Sequence, residues 1–364
     1  MDIQLDAKDL QRACTIVNQV KPKTSQLPLL QQLKITTEKD TAIFRYTNLE
    51  QVIFLRTKAK VNNDGDCLIP IKRTMQFAKY EKGKVNITTD KNRTILSSKI
   101  SDKSDKNGIE IKLHIDKIDE QPQPSIEGIE FDLPTDFQRR ITYALKCVAT
   151  EESRPILTGV LFDFDGKELN MISCDGFWLV NIKTLINSLT QPFRIIIPGN
   201  ALKLVSNFMN GKIRMGYNKE RVWFKSNDLT IISQLIQGNY PVWQQLIPSN
   251  EPSWTINLSA PLLYQRLNQL NNDGMGIVRI YPKDNMLLLT NTVEDAKDIE
   301  EIEIFIPATM KGEGKIAFNK RYLIEASKIF STMDIGITNP NQPLKVTGDL
   351  DGVAFVIMPM FVQW

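Results

Sequence analysis

Histidine is almost absent from this chain. His114 is the only one in 364 residues, and it falls in an alternating segment, residues 111–115, where we expect an exposed strand position. Serine and cysteine nucleophiles usually need an imidazole base beside them. The sequence therefore argues against that class of enzyme.

Other catalytic signatures are missing as well. Residues 311–315 carry glycines and lysines without the spacing of a phosphate-binding loop. Asp163, Asp165 and Asp175 lack the spacing of a calcium loop, and no cluster of carboxylates suits paired magnesium ions. We therefore expect a non-catalytic protein without metal or cofactor, and an enzyme acting on nucleic acid is the least favoured alternative.

The sequence also lacks a run of about 18 apolar residues, which a membrane span needs, and its N-terminus has no basic and apolar leader. Cys14, Cys67, Cys147 and Cys174 are scattered without a C-x-x-C pair, which favours reduced thiols in the cytoplasm. The net charge of +3 by itself predicts neither a nucleic acid nor a membrane as partner.

A repeat is the most informative feature that is present. Three stretches, spaced by about 125 residues, alternate like strands and run into amphipathic helices. They are residues 1–5, 129–133 and 254–258. Second helices are predicted to open at residues 69–71, 197–199 and 318–320. Chains built from repeated units usually form a curved or closed surface rather than one catalytic cleft.

Two proline-bearing connectors, residues 121–128 and 247–253, separate the thirds. They predict three α+β domains, each with two helices packed on antiparallel sheets. The predicted domains are residues 1–122, 128–248 and 253–364. Asp64-Gly65, Asp165-Gly166 and Asp351-Gly352 predict hairpins with type I′ turns. A polar loop is predicted at residues 97–108.

The predicted helices have apolar stripes at helical spacing. The stripe positions are Leu10, Ala13, Cys14 and Val17; Phe137, Ile141, Leu145 and Val148; Leu263, Leu267 and Leu270; and Tyr322, Ala326, Ile329 and Phe330. Cations lie opposite these stripes. They are Lys8 and Arg12; Arg139 and Lys146; and Lys320, Arg321 and Lys328. Lys72, Arg73 and Lys79 lie on the second predicted helix, whose periodicity is weak. Each set is by itself an ordinary solvated face, but together they can form a wall that contacts phosphates without reading bases.

Several motifs, in order, carry a family resemblance. Val356-Ile-Met-Pro-Met360 resembles the C-terminal motif of the bacterial DNA polymerase III beta subunit, the sliding clamp. Residues 154–162, 174–179, 238–243 and 318–323 are similar to further motifs of that family, as are residues 27–30 near the N-terminus. The resemblance covers the whole chain and is clearest over residues 130–364.

The resemblance implies a fold and a function. The fold is three clamp-type domains that form half of a six-domain ring, closed by a head-to-tail homodimer around double-stranded DNA. Twelve helices would line the hole. The implied partners are the DNA polymerase catalytic subunit, the clamp loader and other proteins with a clamp-binding motif, with no membrane involved. The chain would act as a processivity factor that binds DNA without sequence specificity.

The resemblance also implies two sets of site residues. The partner-peptide cleft between the second and third domains is predicted at Leu157, Cys174, Gly176, Phe177, Leu179, Pro241, Gln245, Leu246, Tyr322, Val356, Ile357, Met358, Pro359 and Met360. DNA contacts carried over from the family are Lys23 or Thr24, and Arg154. The helix positions expected to face DNA add Lys8, Arg12, Arg73, Arg139, Lys146, Lys203, Arg266, Lys320 and Arg321.

Departures from the family pattern bear on the cleft and on the ring. Phe177 and Trp178 replace the usual His and Arg, which predicts a more aromatic cleft wall. The chain continues past Met360 for four residues, and residues 97–123 match poorly where the family's dimer contacts lie. The alternative hypothesis is a clamp-like paralogue that binds partner peptides but does not encircle DNA.

Overall fold

The computed structural model describes residues 1–25, 27–90, 93–99, 108–114, 124–151, 153–270, 276–294 and 299–363, with the backbone alone for 99, 292–294 and 299–301. The chain divides into two compact units. One is residues 1–135 with 200–235, and the other is residues 136–199 with 236–364. The three predicted domains therefore stay a prediction.

Helices are short and few in the described residues. They are α1 (Ala7–Asn18), α2 (Ile71–Ala78), α3 (Phe137–Ala144), α4 (Gly199–Phe208), α5 (Ala260–Gln269) and α6 (Lys320–Ser327). The side chain of Asn319 caps α6 by accepting from the backbone N–H of Arg321 at 3.0 Å. None of the helices in this part of the chain is long and apolar enough to cross a bilayer.

The predicted apolar stripes start within the observed helices, but those of α3, α5 and α6 extend beyond the ends of these helices. α3 ends at Ala144 and gives way to a 3-10 turn, Leu145–Cys147, so that Val148 is already extended. α5 ends before Leu270, which is extended, and α6 ends before Phe330. Leu270 and Phe330 are nevertheless buried, because the chain stays against the core after the helix stops. Periodicity reports burial, and it does not mark where the hydrogen-bonded turns end.

Strands make up most of the rest. In chain order they are β1 (Asp2–Asp6), β2 (Gln32–Glu38), β3 (Thr41–Thr47), β4 (Gln51–Lys58), β5 (Lys60–Asn63), β6 (Asp66–Pro70), β7 (Lys84–Asp90), β8 (Arg93–Lys99), β9 (Gly108–His114), β10 (Ile129–Asp132), β11 (Gly159–Phe164), β12 (Glu168–Cys174), β13 (Trp178–Leu185), β14 (Phe193–Pro198), β15 (Arg214–Tyr217), β16 (Arg221–Lys225), β17 (Leu229–Gln234), β18 (Trp254–Ser259), β19 (Ile277–Lys283), β20 (Met286–Glu294), β21 (Ile299–Ile306), β22 (Thr309–Lys311), β23 (Ile316–Asn319), β24 (Thr332–Ile337), β25 (Leu344–Gly348) and β26 (Val353–Ile357).

The first unit holds two sheets. Their strand orders are β5-β1-β7-β8-β9 and β10-β15-β16-β17-β4-β3-β2-β6. In the second sheet, β17 pairs antiparallel with β4, opposing Ile231 to Ile53. Strands from the middle of the chain thereby extend a sheet that the N-terminal third begins. α1 and α2 pack against each other in the same unit.

The second unit repeats this arrangement. Its sheets have the orders β14-β11-β12-β13-β26-β25-β24-β18-β22 and β21-β20-β19-β23. Here β13 pairs antiparallel with β26, so the middle of the chain is joined to its C-terminus within one nine-stranded sheet. The pairings in both units are antiparallel, as the predicted α+β class requires.

The Asp-Gly dipeptides differ in what they do. Asp351-Gly352 lies in the loop between the paired strands β25 and β26, which confirms the hairpin, but only Gly352 has a positive φ, 73°, so the predicted type I′ turn is wrong. Asp165-Gly166 joins β11 and β12, but only Gly166 has a positive φ, 102°, while Asp165 Oδ1 accepts from two backbone N–H groups. The turn is therefore held by an aspartate side chain and is not type I′.

The third predicted hairpin is wrong. Asp64-Gly65 lies between β5 and β6, but β5 pairs with β1 and β6 pairs with β2. The dipeptide connects strands of two different sheets and therefore closes no hairpin. The predicted polar loop is also shorter than expected. Residues 97–99 belong to β8 and Gly108 begins β9, while residues 100–107 lie outside the described part.

Candidate partner cleft and cationic helix faces

The pairing of β13 with β26 brings two of the predicted cleft segments together. Trp178 lies opposite Ile357 and Leu179 opposite Val356. Beyond the end of β26, the backbone N–H of Met358 donates to the carbonyl oxygen of Phe177 at 2.8 Å. The C-terminal motif is thus placed beside residues 174–179, another segment that carries the resemblance.

A buried apolar cluster lies behind these strands. It contains the predicted residues Leu157, Cys174, Leu179 and Val356, packed with Leu161, Ile172, Ile196, Tyr240 and Trp243. The hydroxyl of Tyr240 lies 3.6 Å from the sulfur of Cys174. Burial raises the pKa of the Cys174 thiol and of the Tyr240 phenol. Both groups therefore stay neutral at ordinary pH, as apolar surroundings favour.

Tyr240 and Trp243 were missed as site residues by the sequence reasoning. Both belong to the motif at residues 238–243, and they flank Pro241, which was predicted. The indole N–H of Trp243 donates to Asp163 Oδ2 at 3.1 Å, which fixes the ring against the cluster. The signal that could have found them is that both residues are aromatic. Two large aromatic rings in one loop segment indicate that the segment packs against a core.

Exposed apolar side chains border the buried cluster. Phe177 is 63% exposed, Leu246 43% and Met358 42%. Gly176, Pro241 and Gln245 are also exposed, and Pro359, Met360 and Tyr322 are half-buried. Val242, 57% exposed, was not predicted. An apolar cluster flanked by exposed apolar side chains is the chemistry expected of a peptide groove.

The predicted aromatic wall is half wrong. Trp178 is buried and not on the surface. Its ring stacks on Phe355 with centroids 5.9 Å apart and contacts Tyr322 at 5.0 Å. Phe177 is the exposed member of the pair, because neighbouring residues around a strand start point to opposite sides. Only Phe177 adds aromatic surface where a partner could reach it.

Most of the predicted DNA-contacting side chains are exposed. They are Lys8, Lys23, Thr24, Arg73, Arg139, Lys146, Arg154, Lys203 and Arg321. Arg266 is half-buried and donates to Gln269 Oε1 at 2.9 Å. Arg12 is half-buried as well, where it pairs with Asp228 and donates to the carbonyl oxygen of Phe208 at 3.3 Å. Several of these cations are therefore shared with protein acceptors.

Lys320 contradicts its predicted place on a solvated face. The residue is 4% exposed, and its ammonium donates to the carbonyl oxygen of Leu270 at 2.6 Å. Leu270 directly follows α5, where the last carbonyl groups of a helix have no partner within it. Lys320 thus satisfies a helix end in the core, and Arg321 beside it is the exposed cation.

The cysteines fit the predicted reduced state. All four are buried free thiols. Burial raises the pKa of Cys14 to about 12, and the pKa of Cys67 likewise to about 12, so neither is a reactive thiolate. Among the residues that the structure describes, no group of three or more His, Cys, Asp or Glu side chains could hold a metal ion.

Comparison with known proteins agrees with this architecture. The sequence model of the DNA polymerase III beta subunit, central domain, matches residues 133–242. The beta sliding clamp of Haemophilus influenzae is 24% identical over 335 residues, which cover 87% of this chain and 86% of the relative. The chain is thus similar to sliding clamps over most of its length, and residues 133–242 match the central domain of the DNA polymerase III beta subunit.

Further sliding clamps show the same degree of divergence. The beta sliding clamp of Staphylococcus aureus is 27% identical over 226 residues, 58% of this chain and 59% of the relative. The crystal structure of the Bacillus subtilis clamp matches with a TM-score of 0.87 at 20% identity, covering 100% of both chains. The structure of the Borrelia burgdorferi DNA polymerase III subunit beta matches with a TM-score of 0.88 at 19% identity, covering 100% of this chain and 99% of that chain. The sliding-clamp fold that the family resemblance implied is confirmed.

Proposed function

We propose that this chain is a DNA polymerase processivity factor: a ring of two head-to-tail copies that encircles duplex DNA and tethers its polymerase. The proposal rests first on the likeness to sliding clamps over the full length of the chain. Rings of this kind hold DNA topologically, so the protein needs no catalytic residue. The proposed location is the cytoplasm.

The partner cleft is the second part of the proposal, and one observation supports it most. Phe177, Leu246 and Met358 are large apolar side chains left exposed beside the buried cluster of Leu157, Cys174, Leu179 and Val356. Exposed apolar surface next to a formed core marks interaction sites. The proposed occupants are short apolar peptides of the polymerase catalytic subunit, the clamp loader and other clamp-binding proteins.

DNA contact is assigned to the exposed cations of the helices, to Lys23 or Thr24 in the first loop, and to Arg154. Lysine and arginine bind phosphate oxygens whatever the base sequence, which suits a ring that slides. Lys320 is excluded from this set because it is buried.

A topological experiment tests the ring. The purified chain is incubated with nicked circular duplex, passed through gel filtration at moderate salt, and compared before and after the DNA is cut once. We expect the protein to stay with the circle and to leave the linear DNA. Equal loss from both forms contradicts encirclement, and a monomer in sedimentation equilibrium at micromolar concentration supports the peptide-binding paralogue instead.

A further inference from the structure

One carboxylate in the second unit joins two cations that the DNA wall was expected to present. Glu325, on α6, accepts from Lys146 Nζ through Oε2 at 2.7 Å and from Lys328 Nζ through Oε1 at 2.5 Å. Lys146 lies 179 positions earlier in the chain, in the 3-10 turn that follows α3. Each carboxylate oxygen therefore serves a different lysine.

The carboxylate is better shielded than the cations it binds. The Glu325 side chain is 22% exposed, against 38% for Lys146 and 40% for Lys328. Burial alone would raise the pKa of Glu325, but the hydrogen bonds from Lys146 and Lys328 outweigh it and hold that pKa below its ordinary value. Glu325 is accordingly ionised at neutral pH.

Both ammonium groups remain within reach of solvent. Lys328 also lies over the ring of Tyr264, with Nζ 5.8 Å from the centroid, and Tyr264 is 40% exposed. An incoming phosphate can thus reach each lysine without displacing the core. It must, however, compete with Glu325 for the same ammonium protons.

We propose that Glu325 attenuates DNA binding by sharing Lys146 and Lys328 with the phosphates of the duplex. This inference rests on the proposed function, since it presumes that these lysines face DNA. With Glu325 in place, the two lysines and the carboxylate carry a net charge of +1, and few counterions are released when DNA arrives. Each lysine can leave a phosphate and return to the carboxylate of Glu325. Its contact with any one phosphate is therefore weak.

The experiment measures the salt dependence of DNA binding. Wild type and Glu325→Gln bind a short fluorescent duplex, and anisotropy gives the affinity as salt is raised. Each added phosphate contact steepens the plot of log K against log salt by about 0.9. We expect Glu325→Gln to steepen it by about 0.9 to 1.8, because it releases one or two lysines.

Glu168→Gln is the matched control. Glu168 also accepts from a lysine, Lys183 Nζ at 2.9 Å, and its side chain is 32% exposed. It lies at the start of β12 in the nine-stranded sheet, and its partner Lys183 is not one of the predicted DNA contacts. Glu168→Gln makes the same change in net charge, so an equal gain in affinity for both variants means a general charge effect and overturns the proposal.

Lysine variants test whether Glu325→Gln changes the salt slope through Lys146 and Lys328. In the wild type, Lys146→Ala and Lys328→Ala should change the slope little, whereas each should lower it by about 0.9 in the Glu325→Gln background. A Glu325→Gln gain that survives removal of both lysines contradicts the mechanism. Denaturant unfolding of each variant checks that the fold is kept.

The failures of the two proposals differ. A wild-type chain that is lost equally from circular and cut duplex overturns the proposed function and, with it, this inference. A wild type that binds, with the same slope as Glu325→Gln, overturns only the inference.

Discussion

The backbone N–H of Met358 donates to the carbonyl oxygen of Phe177 at 2.8 Å, and both side chains are exposed. The bond ties the C-terminal motif to the position where this chain departs from the family's usual histidine. The two segments are 181 positions apart in the sequence, and sheet pairing between β13 and β26 is what joins them. The backbones of two exposed residues of the proposed cleft are therefore held together.

Phe177→Ala should weaken the binding of a synthetic peptide that carries a polymerase clamp-binding motif. Truncating an interface aromatic typically costs more than about 1 kcal/mol, so we expect a loss of affinity of about tenfold. Isothermal titration calorimetry measures it. Leu185→Ala is the control, since Leu185 is 55% exposed at the far end of β13, the strand that begins directly after Phe177. Unchanged affinity in Phe177→Ala places the groove elsewhere.

Trp178→Ala should instead unfold the protein more easily. Its ring is buried against Phe355 and Tyr322, and replacing a buried tryptophan by alanine costs about 3–5 kcal/mol. Denaturant titration compares it with Phe177→Ala, which should stay within about 0.5 kcal/mol of the wild type. Equal stability of the two variants contradicts the assignment of Trp178 to the core.

A truncation after Val356 would also destabilise the fold, because it would remove the buried Ile357 from the sheet.

The repeat predicted the strand–helix units well because it depends on local periodicity. The first stripe, Leu10, Ala13, Cys14 and Val17, is buried as expected. Non-local partners are what the sequence did not reveal. The acceptor of Lys320 is a carbonyl group 50 positions away, and that of Lys146 is a carboxylate 179 positions away. A charged residue opposite an apolar stripe can therefore bind a distant acceptor, and at Lys320 this acceptor lies in the core.

Lys320→Ala should lower stability and leave DNA affinity nearly unchanged. It leaves the carbonyl oxygen of Leu270 without its charged donor, and losing such a buried partner costs about 1–3 kcal/mol. Arg321→Ala, one residue along on the exposed side, should do the reverse. Unfolding midpoints and duplex binding are measured for both variants. If Lys320→Ala weakens DNA binding as much as Arg321→Ala with no loss of stability, the burial of Lys320 is wrong.

Glu130→Gln should reduce the loss in free energy of unfolding that the wild type shows as the pH falls. Burial alone would raise the pKa of Glu130, but hydrogen bonds from Lys225 Nζ at 2.5 Å and Trp223 Nε1 at 2.7 Å, with nearby positive charge, lower it below 4.5. A pKa that is lower in the folded state means that the ionised carboxylate stabilises the fold above about pH 4.5. That contribution is lost as the pH falls through the folded-state pKa.

Urea midpoints of the wild type and Glu130→Gln should therefore differ at neutral pH and converge in acid. Asp132→Asn serves as the control, because the pair of Asp132 with Arg214 is 66% and 56% exposed, and exposed pairs contribute little. A constant difference between the wild type and Glu130→Gln at every pH would mean that the carboxylate charge is not what stabilises this position.

Arg139 and Arg140 are neighbours on α3, and their single variants should separate DNA contact from structure. Arg140 donates to Asp136 Oδ2 at 2.6 Å and to the carbonyl oxygens of Lys183 and Asp351 at 2.9 and 3.2 Å. Arg139 is exposed. Arg139→Ala should lower the salt slope of duplex binding by about 0.9 at unchanged stability. Arg140→Ala should lose about 1–3 kcal/mol of stability, because three acceptors lose a charged donor, and should keep the wild-type slope. A salt slope that falls only in Arg140→Ala would mean that Arg140, and not Arg139, contacts DNA.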